Sequence, residues 1–470
     1  MLNLLPTAIL GGGPVGLAAA AQLAQRGMPF VLFERGAQIG ASILGWGHVR
    51  MFSPWEFNID SAAKELLLEA GWSAPPQDHM PTGKELVQLY LEPLSKLAQI
   101  RPYIHLESTV KAVHRKGFDK MKTNGRELAP FVIEYERQGE LLRVEASAVI
   151  DATGTWLTPN PIGASGNAAD GELEHQNYIT YGIPDSSGSS IGRYAGKNIA
   201  VVGGGHSAIQ SLTLLHELKL RVPATTIHWV LRKQSLTDVF GGGENDGLPA
   251  RGELGMRAQR YVHNGNVQVH TPFLIHQITK DQASSKLSLR GTKLGQDYSI
   301  DHLDEVIVAT GSRPDFSFLR ELRYASDSVV ESVPQLADLI DPNIHSCGTV
   351  RPHGEAELRQ PEKNFYIVGS KSYGRAPTFL LATGYEQVRS VTAALAGDEE
   401  AAREVRLHLP ATGVCSVPKS LPADMESGSS CTSTPKRLSI IPIAVSTPSS
   451  CCGASEEEAK APSCGPSACS

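Results

Sequence analysis

The same run of an apolar strand, a glycine-rich loop and a helix occurs twice in this chain, roughly 190 residues apart. The first copy places the loop GGGPVG at residues 11–16, and the second places GGGHSA at residues 203–208. In each copy a second apolar strand follows the helix, at residues 30–33 and 226–231. A strand, a helix and a parallel strand in this order form the βαβ unit that opens a dinucleotide-binding domain. The repeat therefore predicts an α/β fold with two Rossmann-like domains, each doubly wound and three-layered.

The glycine spacing of the first loop suits the pyrophosphate of a dinucleotide. Gly11 permits a tight turn after the strand, Gly13 lets a phosphate approach the backbone, and Gly16 brings helix and strand close together. Glu34 ends the second strand, where its carboxylate can accept hydrogen bonds from ribose hydroxyls and would repel a 2′-phosphate. This loop is therefore predicted to bind FAD or NAD rather than NADP. The residues predicted to bind there are Gly11, Gly13, Pro14, Gly16, Glu34 and Arg35.

The second loop differs in ways that favour a nucleotide with an extra phosphate. Its third glycine position holds Ala208, and its second strand ends in Arg232 and Lys233 instead of an acid. A guanidinium at this place suits a 2′-phosphate in charge and in geometry. NADPH is therefore predicted here, with a solvated basic pair beside bound NADH as the alternative. The residues predicted to bind NADPH at this loop are Gly203, Gly205, His206, Ser207, Ala208, Arg232 and Lys233.

Each half closes with a buried strand and the tripeptide Ala-Thr-Gly. The first is Ala152-Thr153-Gly154, and the second is Ala309-Thr310-Gly311. These turns are interpreted as the points where the chain crosses between domains. The predicted organisation is an FAD-binding domain in two segments (1–190 and 305–410), an inserted NADPH-binding domain (191–304), and a flexible tail rich in Ser, Pro and Cys (411–470). Strand-like runs at residues 105–114, 131–136 and 142–146 predict an antiparallel meander.

On these motifs the chain resembles flavoproteins with two dinucleotide-binding domains, the group of thioredoxin reductases and flavin-containing monooxygenases. The resemblance covers about residues 1–410. It implies FAD at the first loop and NADPH at the second, and it implies flavin contacts from the last glycine of the FAD domain and the helix after it. Ser370 stands where many members have Asp. The further residues that it assigns are Thr153, Gly154, Gly369 and Thr378 for FAD, and Thr310 and Gly311 for NADPH.

The branches of this group differ in the molecule or group that accepts electrons from the flavin. The sequence contains no Cys-x-x-Cys, which disulfide reductases of the group need. Residues 46–55 and 81–91 are similar to monooxygenases, although the monooxygenase fingerprint FxGxxxH is absent and residues 194–197 occupy its place. The resemblance thus implies an NADPH-consuming monooxygenase acting on a small soft or nucleophilic substrate through a C4a-hydroperoxyflavin. The alternatives are an NADPH-driven reductase that uses tail cysteines on a disulfide or metalloid, and a thiol-based arsenic-binding protein with a non-catalytic flavoprotein body.

No catalytic residue can be assigned from the sequence, because flavin chemistry needs few side chains. Four residues are candidates for catalysis by position: His48, Arg50, Tyr373 and Arg375. Arg375 could bind a substrate anion or the flavin, and a structural ion pair explains it equally well. The glycine-rich loop 241–251 could fold over NADPH or form a solvated turn.

The seven cysteines are placed unevenly, with Cys347 alone before residue 414. No metal site is predicted in the body, whereas Cys451, Cys452, Cys464 and Cys469 could bind a soft metal or trivalent arsenic. Flavoproteins of arsenic-resistance operons resemble this body.

The chain has 470 residues and a net charge of −6, which gives no general attraction to nucleic acid or an anionic membrane. The absence of a membrane-length apolar run and the low cysteine content of the body predict a cytoplasmic protein. A small-molecule substrate and dioxygen are the expected partners, and a homo-oligomer is left open.

Overall fold

The computed structural model describes residues 5–185, 188–240, 249–342 and 350–407. Within these ranges the strands, in chain order, are β1 (Thr7–Leu10), β2 (Phe30–Phe33), β3 (Ile104–His105), β4 (Thr109–Arg115), β5 (Phe131–Arg137), β6 (Glu140–Ala146), β7 (Ala148–Asp151), β8 (Ile179–Tyr181), β9 (Asn198–Val202), β10 (Thr226–Val230), β11 (Gln268–His270), β12 (Leu274–Lys280), β13 (Leu287–Lys293), β14 (Gln296–Leu303), β15 (Glu305–Val308) and β16 (Phe365–Ile367). The α-helices are α1 (Pro14–Gln25), α2 (Ala41–Leu44), α3 (Ser61–Glu69), α4 (Gly83–Leu86), α5 (Glu92–Ser95), α6 (His206–Arg221), α7 (Thr237–Phe240), α8 (Pro249–His263), α9 (Pro334–Ile340), α10 (Glu355–Leu358), α11 (Leu381–Leu395) and α12 (Glu399–Arg403).

The first parallel sheet has the strand order β16-β7-β1-β2-β3. Strands β1, β2 and β7 are buried along their whole length, as expected for parallel strands covered on both faces. The order reverses between β1 and β7, because β2 and β3 lie on one side of β1 and β16 lies beyond β7. Such a reversal opens a crevice at the carboxyl ends of the two central strands, where α/β proteins bind their ligands.

Helices and an antiparallel meander cover this sheet. Helix α1 packs against α3 and α11, and the meander β4-β5-β6 joins the same apolar core through Tyr135, whose ring centroid lies 4.7 Å from that of Phe33. The predicted meander is confirmed, although its first run is split: Ile104–His105 pairs with the parallel sheet as β3 and Thr109–Arg115 starts the meander as β4.

The second parallel sheet has the order β11-β10-β9-β15-β8, with its reversal between β9 and β15. Both β8 and β15 pair in this sheet, so Ile179–Tyr181 and Glu305–Val308 belong to it. These two strands lie on either side of the predicted insert 191–304, whose limits stay a prediction.

Side chains of the second sheet alternate between two separate cores. Ile199 and Val201 pack with helices α6 and α8, whereas Ala200 and Val202 pack with a second meander, β12-β13-β14. This alternation follows from the two-residue period of a strand and gives three layers, helix, parallel sheet and meander. The predicted α/β class with two Rossmann-like domains is confirmed, and the second meander is an element that the sequence analysis missed.

The connecting helices begin where side chains can accept from their first amides. Asp60 caps α3 through Ala63 N, and Thr82 and Glu85 form a capping box at the start of α4. A π-helical turn, Val87–Leu91, separates α4 from α5 immediately before Pro93, which has no amide proton to continue an α-helical ladder.

Among the described residues, no helix is both long and apolar enough to cross a membrane. All seven cysteines, the tail 411–470 and residues 241–248 of the glycine-rich loop lie outside the described ranges.

A chain of buried polar side chains links the second sheet to its meander. Nε2 of His228 lies 2.7 Å from Oδ1 of Asn198, and its Nδ1 lies 2.9 Å from Nε2 of His270. Nδ1 of His270 lies 2.8 Å from the hydroxyl of Tyr298. Burial lowers the pKa of His228; burial, together with His228 and Lys293, lowers the pKa of His270 to about 4. The folded protein therefore holds both imidazoles uncharged at neutral pH.

Acid is expected to destabilise the protein through this pair. The unfolded chain protonates a histidine below pH of about 6.5, whereas the folded chain resists protonation of His270 until about pH 4. Stability should therefore fall as pH falls through this window, by up to about 1.4 kcal/mol per pH unit for His270. Substitution His270→Gln, which keeps a hydrogen-bonding side chain without titration, should flatten the dependence of the urea midpoint on pH.

The matched control is His276→Gln on β12, because this histidine is exposed. The control should keep the wild-type slope between pH 7 and pH 4.5. An unchanged slope in the His270→Gln variant would contradict the assignment.

Candidate functional site

The first glycine loop begins at the reversal of the first sheet. Gly11 follows β1 with φ of +101°, and a Cβ atom there would lie 2.7 Å from the carbonyl oxygen of Ala152, which follows β7. Real Cβ atoms do not approach an oxygen so closely, and the backbone angle disfavours any L side chain. Only glycine therefore allows the two strand ends to meet in this way.

The second and third glycines of the loop have different roles. A Cβ atom at Gly16 would lie 1.9 Å from the carbonyl oxygen of Gly11, so this position needs glycine for packing alone. A Cβ atom at Gly13 would meet no atom of the described residues within 4 Å. Gly13 is the N-cap of α1, with no side-chain cap, and Pro14 occupies the first turn. The first-turn amides of α1 thus lack a capping side chain beside open space, which is the arrangement that binds a phosphate.

Glu34 holds this loop from the end of β2. Its Oε2 accepts from Gly12 N at 2.7 Å, and its Oε1 accepts from Gly36 N at 2.7 Å. Each carboxylate oxygen keeps a further lone pair for a ribose hydroxyl. Arg35, the next residue, is exposed.

The second loop repeats the close approach of the first. Gly203 has φ of +136°, and a Cβ atom there would lie 2.2 Å from the carbonyl oxygen of Ala309. Gly205, the N-cap of α6, faces open space like Gly13. Ala208 is buried where the first loop has Gly16, so helix and loop leave room here for one methyl group. The second loop therefore keeps the phosphate position and relaxes the packing position.

The residues predicted to recognise the second nucleotide lie around this loop. His206 begins α6, and Ser207 and the basic pair Arg232 and Lys233 are exposed. Nη1 of Arg232 donates to the carbonyl oxygen of Ala164 at 3.2 Å. Two exposed cations thus stand just after β10, where a 2′-phosphate site would need them.

The two Ala-Thr-Gly turns are held by different side chains. At the second turn Oγ1 of Thr310 donates to the carbonyl oxygen of Asn160 at 2.5 Å, and Nδ2 of Asn160 donates back to the carbonyl oxygen of Thr310 at 3.1 Å. Gly311 has φ of +86° and its carbonyl oxygen accepts from Asn160 N. The sequence analysis missed Asn160, since its partners lie 150 residues away.

At the first turn a buried ion pair takes this place. Nζ of Lys371 lies 2.6 Å from Oδ2 of Asp151, and neither side chain is exposed to solvent. Oδ1 of the same carboxylate accepts from Thr153 N and Oγ1, at 3.1 and 2.7 Å. An acid at the end of an otherwise apolar strand was the available signal for this cluster.

The last glycine predicted to contact FAD packs on the first helix. Gly369 has φ of +69°, and a Cβ atom there would lie 3.3 Å from Val15. Ser370 follows, and its Oγ would lie 3.4 Å from a Cβ atom at Gly154, where φ is +68°. Oγ1 of Thr378, ahead of α11, has no hydrogen-bond partner among the described residues. Chain segments that are distant in sequence thus converge beside the first loop.

The four candidate catalytic residues separate into two groups. His48 and Arg50 are exposed, and Nη1 of Arg50 donates to the carbonyl oxygen of Met80 at 2.6 Å. Tyr373 is 1% exposed, and burial raises the pKa of its hydroxyl. Arg375 is exposed, and its Nη1 lies 4.0 Å from Oε1 of Glu331. This contact is the structural ion pair given above as the alternative to ligand binding. The structure does not bring the four together at one point.

Aromatic side chains connect the two halves near the loops. The ring of Phe52, from the first half, lies 5.6 Å from that of His206 at the start of α6. Trp156 follows the first Ala-Thr-Gly turn and packs beside Gly45 and Gly182, where its ring atoms would lie 3.2 and 3.0 Å from Cβ atoms. Segment 45–52 of the first half thus reaches the second glycine loop.

Both loops have the features that hold a dinucleotide. Each loop offers an open glycine at the N-cap of a long helix, and each lies at the strand reversal of its own sheet. The first has an acid for a ribose, and the second has cations for a phosphate. The residues fit FAD at the first loop and NADPH at the second.

Replacing the two open glycines should separate the two binding events. A methyl group at Gly13 or Gly205 meets no described atom, and both residues have ordinary backbone angles. The variants should therefore fold, while the methyl group blocks the approach of the pyrophosphate. Gly13→Ala should lower the affinity for FAD at least tenfold. Gly205→Ala should leave the affinity for FAD unchanged and lower the affinity for NADPH at least tenfold. Flavin fluorescence and NADPH titration measure the two constants.

A third variant serves as the packing control. Gly16→Ala should lower the melting temperature of the apoprotein, because its Cβ atom would overlap a carbonyl oxygen. Equal losses of stability in all three variants would contradict the distinction between open and packed glycines.

Sequence comparison places this chain beside bacterial reductases. Ferredoxin–NADP reductase 2 of Latilactobacillus sakei subsp. sakei is 25% identical over 359 residues, which cover 76% of this chain and 88% of the relative. A ferredoxin–NADP reductase of Lactococcus lactis subsp. cremoris is 25% identical over 304 residues, covering 64% and 72%.

Solved structures share the fold. The bacillithiol disulfide reductase of Bacillus cereus superposes with a TM-score of 0.61 at 19% identity, over 84% of this chain and 99% of that one. The ornithine N-hydroxylase of Kutzneria sp. 744, solved with reduced FAD and NADP+, has a TM-score of 0.55 at 16% identity, over 84% and 100%.

The family model for pyridine nucleotide-disulphide oxidoreductases matches residues 8–338, which include both glycine loops and both Ala-Thr-Gly turns. The chain therefore belongs to the pyridine nucleotide-disulphide oxidoreductase family and, as predicted, is an oxidoreductase that uses FAD and NADP(H).

Proposed function

We propose that this protein is an NADPH-consuming flavin monooxygenase, in which the second loop would hold NADPH and the first would hold FAD, the group that would supply the reaction with dioxygen. Bound FAD supplies the redox chemistry. The chain supplies two phosphate cradles, a ribose acid, a cationic end of β10 and the aromatic contact that joins the halves. The proposed substrate is a small molecule with a soft nucleophilic atom.

The observation that carries this proposal is the pairing of two dinucleotide loops with the lack of a Cys-x-x-Cys motif. The sequence lacks Cys-x-x-Cys, and the described residues include no cysteine. Electrons from the flavin would therefore pass to an acceptor other than a Cys-x-x-Cys pair. The rings of Phe52 and His206, 5.6 Å apart, bring segment 45–52 of the first half to the second glycine loop, which supports electron transfer between the two sites.

Recognition of the 2′-phosphate can be tested at Arg232. Loss of a charge-assisted hydrogen bond to the phosphate should lower kcat/KM for NADPH roughly 10- to 100-fold in Arg232→Gln and leave the value for NADH unchanged. Arg221→Gln is the matched control, because Arg221 is an exposed arginine at the opposite end of α6. Equal losses with both nucleotides would contradict a role in phosphate recognition.

The reaction type can be tested by stoichiometry in the purified holoprotein. With a small thioether as the probe substrate, a monooxygenase should consume one NADPH and one dioxygen for each sulfoxide formed. Oxygen electrode, absorbance at the NADPH band and chromatography of the product measure the three amounts. If every soft nucleophile in a panel gives an amount of hydrogen peroxide equal to the amount of NADPH consumed, the proposal is rejected.

The second candidate function is an NADPH-driven reductase, favoured by the sequence similarity to ferredoxin–NADP reductases. Its flavin would pass electrons to an external acceptor, with or without the tail cysteines. Full-length protein with Cys451, Cys452, Cys464 and Cys469 changed to Ser separates these cases. Loss of turnover on a disulfide or on an arsenic compound, with flavin reduction by NADPH unchanged, would support a shuttle through the tail.

A further inference from the structure

We infer that Lys371 is a positioning residue for the FAD site, acting through Asp151 on the Thr153–Gly154 turn. This inference rests on the proposed binding of FAD at the first loop. It concerns a buried charge whose position the fold alone does not explain.

The cluster is closed and free of solvent. Lys371 Nζ lies 2.6 Å from Asp151 Oδ2 and 3.1 Å from Thr153 Oγ1. The other carboxylate oxygen accepts twice from Thr153, so the ammonium and the turn share one anion. Both charged side chains are 0% exposed. Such a pair holds its geometry tightly, because either ion alone would be strongly disfavoured in this place.

The cation is further enclosed by two aromatic rings. Nζ of Lys371 lies 4.5 Å from the ring centroid of Phe318 and 5.2 Å from that of Phe316. Both rings lie within cation–π distance of the ammonium and cover it. Asp151 is therefore the carboxylate that pairs with this ammonium, and the two rings enclose the cation.

The cluster ties together two parts of the predicted flavin site. Lys371 comes two residues after Gly369, which packs against Val15 of α1. Asp151 comes two residues before Thr153. The ion pair joins positions 220 residues apart, at the ends of the neighbouring strands β16 and β7. The ion pair thus adds a short side-chain contact to the strand pairing that places Gly369 beside the Thr153–Gly154 turn.

The second half of the molecule provides an internal comparison. Its turn has the same tripeptide, yet it is held by the uncharged side chain of Asn160. Closing an Ala-Thr-Gly turn therefore does not require a buried ion pair. The charge at the first turn serves something particular to that turn, which is the site assigned to FAD.

The test compares stability with FAD affinity in full-length protein. Lys371→Met should lower FAD affinity tenfold or more and lower stability. The double variant Lys371→Met with Asp151→Leu removes both charges and should regain stability, since an apolar pair can replace a buried ion pair. Its FAD affinity should stay low, because Thr153 has lost its acceptor. Flavin fluorescence gives the affinity, and the resolution of the flavin absorption band reports the environment of the ring.

Two further variants complete the design. Thr153→Val removes only the hydroxyl contact, so it should fold and should weaken FAD binding in the same direction. Lys96→Met is the control, because Lys96 Nζ lies at the same 2.6 Å from Glu92 but is 66% exposed, and neither quantity should change.

The inference fails if FAD affinity returns together with stability in the double variant, since the pair would then be structural only. It also fails if Lys371→Met or Thr153→Val binds FAD like the wild type. Wild-type protein that takes up no FAD would overturn the proposed function as well.

Discussion

The close approach of a glycine to a neighbouring strand end governs both halves of this protein. Cβ atoms at Gly11 and Gly203 would lie 2.7 and 2.2 Å from the carbonyl oxygens of Ala152 and Ala309. This contact draws the central strands of each sheet together where the strand order reverses. Because the chain must then turn sharply, the following helix begins with uncapped amides facing open space. The phosphate-binding geometry is therefore a consequence of how the two strands end.

The halves share this constraint and differ in the side chains added to it. Glu34 bonds to the first loop, whereas exposed Arg232 stands at the equivalent end of β10. Gly16 is required by packing, whereas Ala208 fits in the second copy. A common frame thus acquires two nucleotide preferences through a few positions at strand and helix ends. This division explains why the cofactors are easier to infer than the electron acceptor.

Local sequence patterns predicted much of the fold, whereas side-chain pairs between residues distant in sequence were not predicted. The loops, their strands and the first meander depend on residues close in sequence, so their spacing was sufficient. Strand β8 has only three residues and is recognised by its pairing, so the sequence did not identify it. Lys371 has its partner 220 residues away, so no local pattern could identify it.

Buried charges give the short strand β16 a precision that apolar packing cannot give. The strand has three residues, Phe365–Ile367, and carries Gly369 toward the first loop. Glu362, just before it, accepts from the buried guanidinium groups of Arg115 and Arg126. Lys371, just after it, pairs with Asp151. Apolar contact is non-directional and would tolerate a slip of the strand by two residues. Such a slip would leave the charged groups at both ends without partners, so these three ion pairs fix the register on which the predicted flavin contact depends.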